Sequence, residues 1–217
     1  MGLSFIVSNT LTFDGVVHWL GACAEAFTAE KDRLTALDSA IGDGDHGANM
    51  ARGFQAVQTK LAAAPAGDIG GVFKIVAMTL ISTTGGASGP LYGTFFLQAA
   101  GVAKGKAELT VAELHAAFET GLAGVVKLGK AAVGEKTMVD ALTPAIAALA
   151  PSGADDTLSA ALVRAVAAAE KGAESTVAMV AHKGRASYLG ERSAGHLDPG
   201  AASSLLLLQT LAKAVAG

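Results

Sequence analysis

The sequence is short of several things that specialised proteins depend on. A single cysteine, Cys23, stands among 217 residues. That excludes an internal disulfide and any zinc spacing built on cysteine, and it fits a reducing compartment. Cys23 itself reads as a small buried apolar residue. Aromatic residues make up only 5% of the chain, and β-branched runs are missing, which disfavours a sheet. Lysine and arginine number 16 against 19 acidic residues, for a net charge of −3. A nucleic-acid binder would show a basic stripe with interleaved aromatics. No uncharged run reaches membrane-spanning length, since even residues 72–81 are broken by Lys74. Residues 1–7 are apolar but have no basic region before them and no clear cleavage site after them. No signal peptide is therefore read, and the expected location is the cytoplasm.

What remains is rich in alanine, glycine and helical periodicity. Hydrophobic residues reach 51%, enough for a folded core in one domain. Phe13, Val16, Val17, Leu20, Ala24 and Phe27 recur at helical spacing, predicting a helix over 12–30 that could run on through Leu34 and Leu37. A second helix is expected over 48–63, stopping at Pro65. Asp68 caps a third, to about Thr83. Pro90 suits the first turn of a fourth, over 90–103. Thr110 and Glu113 form a capping box ahead of a stripe of Val111, Leu114, Phe118, Leu122 and Val125. A sixth helix over 137–150 contains Pro144 and is kinked there or begins there. A seventh, over 157–181, takes Asp156 as its cap, and an eighth opens at Asp198-Pro199. The reading is all-α, with eight helices, no strand and no linker: one domain over 1–217.

Three polar loops interrupt this pattern, and chemistry is sought there. The first, Asp-Ser-Ala-Ile-Gly-Asp-Gly-Asp-His-Gly-Ala-Asn, places Asp38, Asp43 and Asp45 within eight residues. Such carboxylates repel one another, and Asp38 lies near the unfavourable end of a helix dipole. A hard cation relieves both, and Mg²⁺ is held by a few carboxylates plus substrate phosphates. Gly42, Gly44 and Gly47 give the backbone the freedom to bring the acids together. One Asp-Gly pair would read as an ordinary turn; three acids in this spacing favour metal. Those glycines also match G-x-G-x-x-G, with Asp68 near the ribose-binding position, but that fingerprint needs a preceding strand, and here a helix precedes it. An EF-hand has a different acid spacing.

The second loop, Gly85-Gly86-Ala87-Ser88-Gly89, opens a helix whose free N–H groups suit an anion. It is not a Walker A sequence, and alone it would be an ordinary connector. The third, residues 183–200, offers Arg185 for phosphate oxygens and Asp198 for capping or ligand binding. For Glu191, Arg192 and His196 a structural role is at least as good a reading. Lys136 and Lys183 read as solvated.

Four motifs in order, residues 38–50, 85–93, 134–140 and 186–200, resemble the L subunit of dihydroxyacetone kinases across about 34–204. The resemblance implies an eight-helix antiparallel barrel with a nucleotide site at one end. It implies ADP or ATP as cofactor, and two Mg²⁺ ions bound by Asp38, Asp43 and Asp45. The positions matching nucleotide contacts are His46, Asn49, Ala87, Ser88, Gly129, Met138, Arg185, Asp198 and Gly200, with Met138 beside the adenine. The implied activity is phosphoryl transfer to dihydroxyacetone held on a partner K subunit. In the phosphoenolpyruvate-dependent type a phosphotransferase-system M subunit rephosphorylates the bound ADP. A homodimer is admissible; nucleic acid and membrane are not expected as partners. Competing readings are an ATP-dependent kinase for this or another small polyol or a fatty acid, and a nucleotide-binding module that performs no transfer.

Overall fold

The computed structural model describes residues 9–63, 67–153 and 156–216. Nine α-helices run through them: α1 (Phe13–Ala29), α2 (Lys31–Ile41), α3 (His46–Ala62), α4 (Ile69–Thr83), α5 (Ser88–Val102), α6 (Val111–Gly129), α7 (Met138–Leu149), α8 (Leu158–Ser175) and α9 (Pro199–Ala216). The helices pack in chain order from α3 to α9. α1 lies against α3, and α9 returns to α1, so the order of contacts closes on itself; α2 sits against α3 and α9. No helix among the described residues is long and apolar enough to cross a membrane. The expected stop at Pro65 and the apolar residues 1–7 lie outside the described residues.

The core is organised around Trp19. Its ring lies 6.4 Å from Phe73, 6.0 Å from Phe96 and 6.1 Å from Phe118. Its indole N–H donates to the Leu207 carbonyl at 3.2 Å, so one side chain of α1 touches α4, α5, α6 and α9. Each such buried aromatic contributes about 1.5–3 kcal/mol over its exposed state.

Several helix ends follow the sequence. The Asp68 carboxylate accepts from Gly71 N–H at 2.6 Å and also from Gly105 N–H at 2.7 Å. The Thr110–Glu113 capping box is complete. Others differ. The first predicted helix is two, broken at Glu30, whose backbone (φ −91°, ψ 3°) leaves the helical region. Leu34 N–H still reaches the Glu30 carbonyl at 2.9 Å, so the chain turns without unwinding. Helix α7 begins well before Pro144 and runs through it, because Thr137 and Asp140 form a second capping box. Thr157, not Asp156, caps α8; Asp156 instead pairs with Arg164 at 2.5 Å. α8 ends at Ser175, where Thr176 turns its hydroxyl to the Ala173 carbonyl and accepts from Asp198 N–H. A two-stranded antiparallel ladder joins β1 (Thr10–Thr12) to β2 (Glu108–Thr110), Leu11 opposite Leu109. Three residues are too few to display a strand's alternation in sequence.

The turn between α2 and α3 needs glycine for space. A Cβ on Gly47 would stand 2.0 Å from the Lys31 carbonyl oxygen and 2.5 Å from Thr35 Oγ1. Gly47→Ala is expected to cost about 1–3 kcal/mol by pushing α3 off α2, measurable as a lower urea midpoint.

Candidate functional site

A cavity of about 380 Å³ opens where the three polar loops meet. Its acidic wall begins with Asp38, in the last turn of α2. The Asp38 Oδ2 atom accepts from the backbone N–H groups of Asp45 at 2.9 Å and His46 at 3.1 Å. The carboxylate that ends α2 thus also caps the start of α3, where a negative charge is favoured. Gly44, at φ +75°, turns the chain between Asp43 and Asp45. Carboxylate oxygens of Asp38, Asp43 and Asp45 come within 4.8 Å of one another. Asp38 is buried, while Asp43 and Asp45 are exposed. The donor set is all oxygen, compact and partly open, which fits Mg²⁺, a cation that keeps room for waters and phosphate ligands.

Opposite the acids lies the start of α5. Gly86, at φ +65°, delivers the chain into the helix, and no side chain caps it at Ala87. Gly86, Ala87 and Ser88 line the cavity, so the unpaired N–H groups of the first turn are an anion cradle beside the acidic trio. The far wall is apolar: Leu91, Val125, Leu128, Gly129, Met138 and Val139. Arg185 closes the acidic side, its Nη2 3.1 Å from Asp43 Oδ2. Asp198 and Gly200, at the start of α9, complete the lining.

Eleven of the twelve expected site residues line this one cavity. Asn49 does not. It is buried behind the wall, its Oδ1 accepts from Arg52 Nη2 at 2.6 Å, and Gly85 packs against its amide. Lys136 corrects the expectation of a solvated side chain: it is 1% exposed. Its ammonium donates to the carbonyls of Thr176 and His196, and its backbone holds φ +62°. Burial lowers its pKa. The expectation for Lys183 is modified too, since it lies half-buried 3.8 Å from Glu135.

Sequence reasoning missed the buried hydroxyls of Tyr92, Ser203 and Ser204, which join His46 and Ser88 of the cavity lining. His46 Nδ1 meets Ser88 Oγ at 3.0 Å and Nε2 meets Ser203 Oγ at 2.9 Å. Tyr92 OH lies 2.7 Å from Ser203 Oγ and 2.9 Å from Ser204 Oγ. The Ser203-Ser204 pair ahead of an apolar run was the available signal. Burial pushes the His46 pKa down, partly offset by Asp38 and Asp45, and pushes the Tyr92 hydroxyl up.

Burial also raises the Asp198 carboxyl from its ordinary 3.8 to about 7, against the opposing pull of Ala201 N–H and Lys136. A raised carboxyl costs the fold stability once it ionises. That cost is absent below about pH 4 and complete above about pH 7, so stability falls as pH rises through the window, by at most about 1.4 kcal/mol per pH unit. Thermal melts in chelator should therefore show the parent protein losing ground to Asp198→Asn between pH 5 and pH 7. Parallel profiles would place this carboxyl outside the window.

Residues 40–213 match the DAK2 domain model. The chain belongs to the DAK2 domain family. Among similar proteins, the ADP-binding subunit DhaL of the PEP-dependent dihydroxyacetone kinase of Escherichia coli is 48% identical over 200 residues, covering 92% of this chain and 95% of that one. The human triokinase/FMN cyclase is 37% identical over 185 residues, covering 83% of this chain but only 32% of that protein. The dihydroxyacetone kinase of C. freundii, solved in complex with AMP-PNP and Mg²⁺, superposes with a TM-score of 0.71 at 28% identity. There the match covers 91% of this DAK2 domain chain and 33% of that one, so the chain spans about a third of that kinase.

Proposed function

We propose that this chain is the ADP/ATP-holding subunit of a phosphoenolpyruvate-dependent dihydroxyacetone kinase. The observation that carries the reading is the meeting of three carboxylates, within 4.8 Å of one another, with the uncapped start of α5 in one cavity. Neither suits a neutral ligand; together they suit a polyphosphate accompanied by divalent cations.

Asp38, Asp43 and Asp45 would hold two Mg²⁺ ions, which supply charge neutralisation between the acids and a nucleotide that brings about four negative charges of its own. The chain's residues do the rest. The first-turn N–H groups of α5 and the Ser88 hydroxyl receive phosphate oxygens. Arg185 is near enough to exchange its carboxylate partner for a phosphate. Met138 and Gly129 flank the base on the apolar wall, and Asp198 with Gly200 bounds the side nearest α9. Catalysis is then positioning plus electrostatics. In this reading the acceptor hydroxyl comes from a partner K subunit, and the M subunit restores the nucleotide. The higher identity to a PEP-dependent ADP-binding subunit, 48% against 37% for the triokinase type, supports that arrangement. A cytoplasmic location follows from the same reading.

The test is to mix the purified chain with K subunit, dihydroxyacetone and one equivalent of ATP. About one equivalent of triose phosphate is expected, with further product only when M subunit and phosphoenolpyruvate regenerate the nucleotide. Tight ADP binding without transfer would make the chain a non-catalytic module instead.

A further inference from the structure

Asn49 is the one expected site residue that the cavity lining leaves out, and its side chain carries an unused donor. Its partner is Arg52, further along α3 and exposed. A guanidinium can only donate, so the amide atom 2.6 Å from Arg52 Nη2 is the oxygen, Oδ1. The amide is thereby oriented, and Nδ2, with its two protons, is the end left over. Among the described residues no acceptor takes those protons. Nor is Nδ2 sealed in: the fully enclosed side-chain atoms without a partner are Thr35 Oγ1 and Thr84 Oγ1.

Arg52 is itself tied down. Its Nε donates to the Thr83 carbonyl at 2.9 Å. Thr83 is the last residue of α4, where carbonyls lack helical partners and a cation is favoured. The helices cross closely at this point. A Cβ on Gly53 would stand 2.2 Å from Thr84 Oγ1, so the glycine that follows Arg52 lets α3 reach the end of α4. Just beyond lies Gly85, pressed on the Asn49 amide; a Cβ there would stand 2.9 Å from Oδ1 and 3.0 Å from Nδ2. Arg52 thus holds the end of α4 with one nitrogen and Asn49 with another. Its planar fork fixes the two together, which a single ammonium on a flexible stem does not.

We propose that Arg52 is a positioning residue for the nucleotide: braced on the Thr83 carbonyl, it grips the Asn49 amide by its oxygen and so keeps the Asn49 NH₂ group for a phosphate oxygen beside Gly85. This role rests on the nucleotide-site reading above and deepens it. The fit is one of sign. The acidic trio repels a phosphate unless metal intervenes, whereas an amide NH₂ offers donors only, like the first-turn N–H groups of α5. Released from Arg52, the amide would be free to flip and set its oxygen, an acceptor, against an anion. Arg52 prevents that flip without touching the ligand. Its net charge matters less, because charges on exposed side chains are screened by salt.

The test is Mg-ADP affinity by calorimetry on the whole chain, with a urea midpoint for every variant. Arg52→Lys keeps the charge and gives up the fork. It should weaken Mg-ADP binding about tenfold, the scale of one charge-assisted hydrogen bond, and leave the urea midpoint near that of the parent, since the position is exposed. Parental affinity in Arg52→Lys would mean that charge alone suffices and would overturn the assignment. So would a midpoint that falls along with the affinity, because Arg52 would then serve the fold. Asn49→Ala removes the amide, and in that background Arg52→Lys should weaken binding no further. Equal losses in both backgrounds would also overturn the assignment, since a residue that only caps α4 acts whatever stands at position 49. Asn49→Ser serves the same comparison if the alanine variant does not fold. A parent protein that fails to bind Mg-ADP would remove the nucleotide-site reading and the role of Arg52 with it; a parent that binds, with an indifferent Arg52, removes that role alone.

Discussion

Asp43→Asn is expected to abolish Mg²⁺-dependent ADP binding in calorimetry while leaving the helical circular dichroism unchanged. The two halves of that expectation come from different features of one residue. Asp43 is exposed, and among the described residues its ion pair is with Arg185, itself two-thirds exposed. Surface pairs of this kind are worth about 0–1 kcal/mol, so the fold should scarcely register the change. Binding should register it fully. An amide has the shape of a carboxylate but not its charge, and the trio would lose a third of the charge that offsets the cations. A thermal-shift readout gives the same contrast. The parent protein at ligand concentrations 100 times Kd should gain about 2.7 kcal/mol of stability; the variant should gain none. Undiminished affinity in Asp43→Asn would remove the metal-bridged account of the site. Asp45→Asn should resemble it. Asp38 is a poorer test, because its carboxylate also holds the backbone of Asp45 and His46.

The second large effect is on stability. Lys136→Met should cost about 3–5 kcal/mol, the scale for breaking a buried charged interaction from one side. Methionine fills the stem of lysine but leaves the carbonyls of Thr176 and His196 without their donor and removes the positive charge facing Asp198 and Asp140. The positive φ at this position remains whatever the side chain, so nothing in the backbone compensates. Because Thr176 and His196 bracket the segment that carries Arg185, ADP affinity should fall along with the urea midpoint. A loss under about 1 kcal/mol would show that this segment is anchored elsewhere.

Lys136 also marks where the sequence stops being legible. In Gly-Glu-Lys-Thr it reads as a surface lysine, because its partners lie 40 and 60 residues further on. Still longer separations hid the Tyr92–Ser203 contact and the pairing of Leu11 with Leu109. Asp38, Asp43 and Asp45 were legible for the opposite reason. Their spacing is local, and the physics that makes three neighbouring acids costly needs no tertiary information. Helix starts at Asp68 and Thr110 were readable because a cap acts within three residues. Asp156 shows the limit of that rule, since Arg164 two turns away claims its carboxylate and leaves Thr157 to cap α8. Asn49 shows another: its motif position falls outside the cavity lining, and Arg52, three residues on, donates to its side chain.

The return of α9 onto α1 has a consequence for how the protein is made. α9 leaves the ribosome after every other described helix, yet it supplies Gly200 to the cavity, Ser203 to the hydroxyl chain and the Leu207 carbonyl that receives Trp19. A nascent chain paused before Pro199 would therefore carry the acidic loop without the α9 side of its cavity, and the lining would be completed in a single step once α9 emerges.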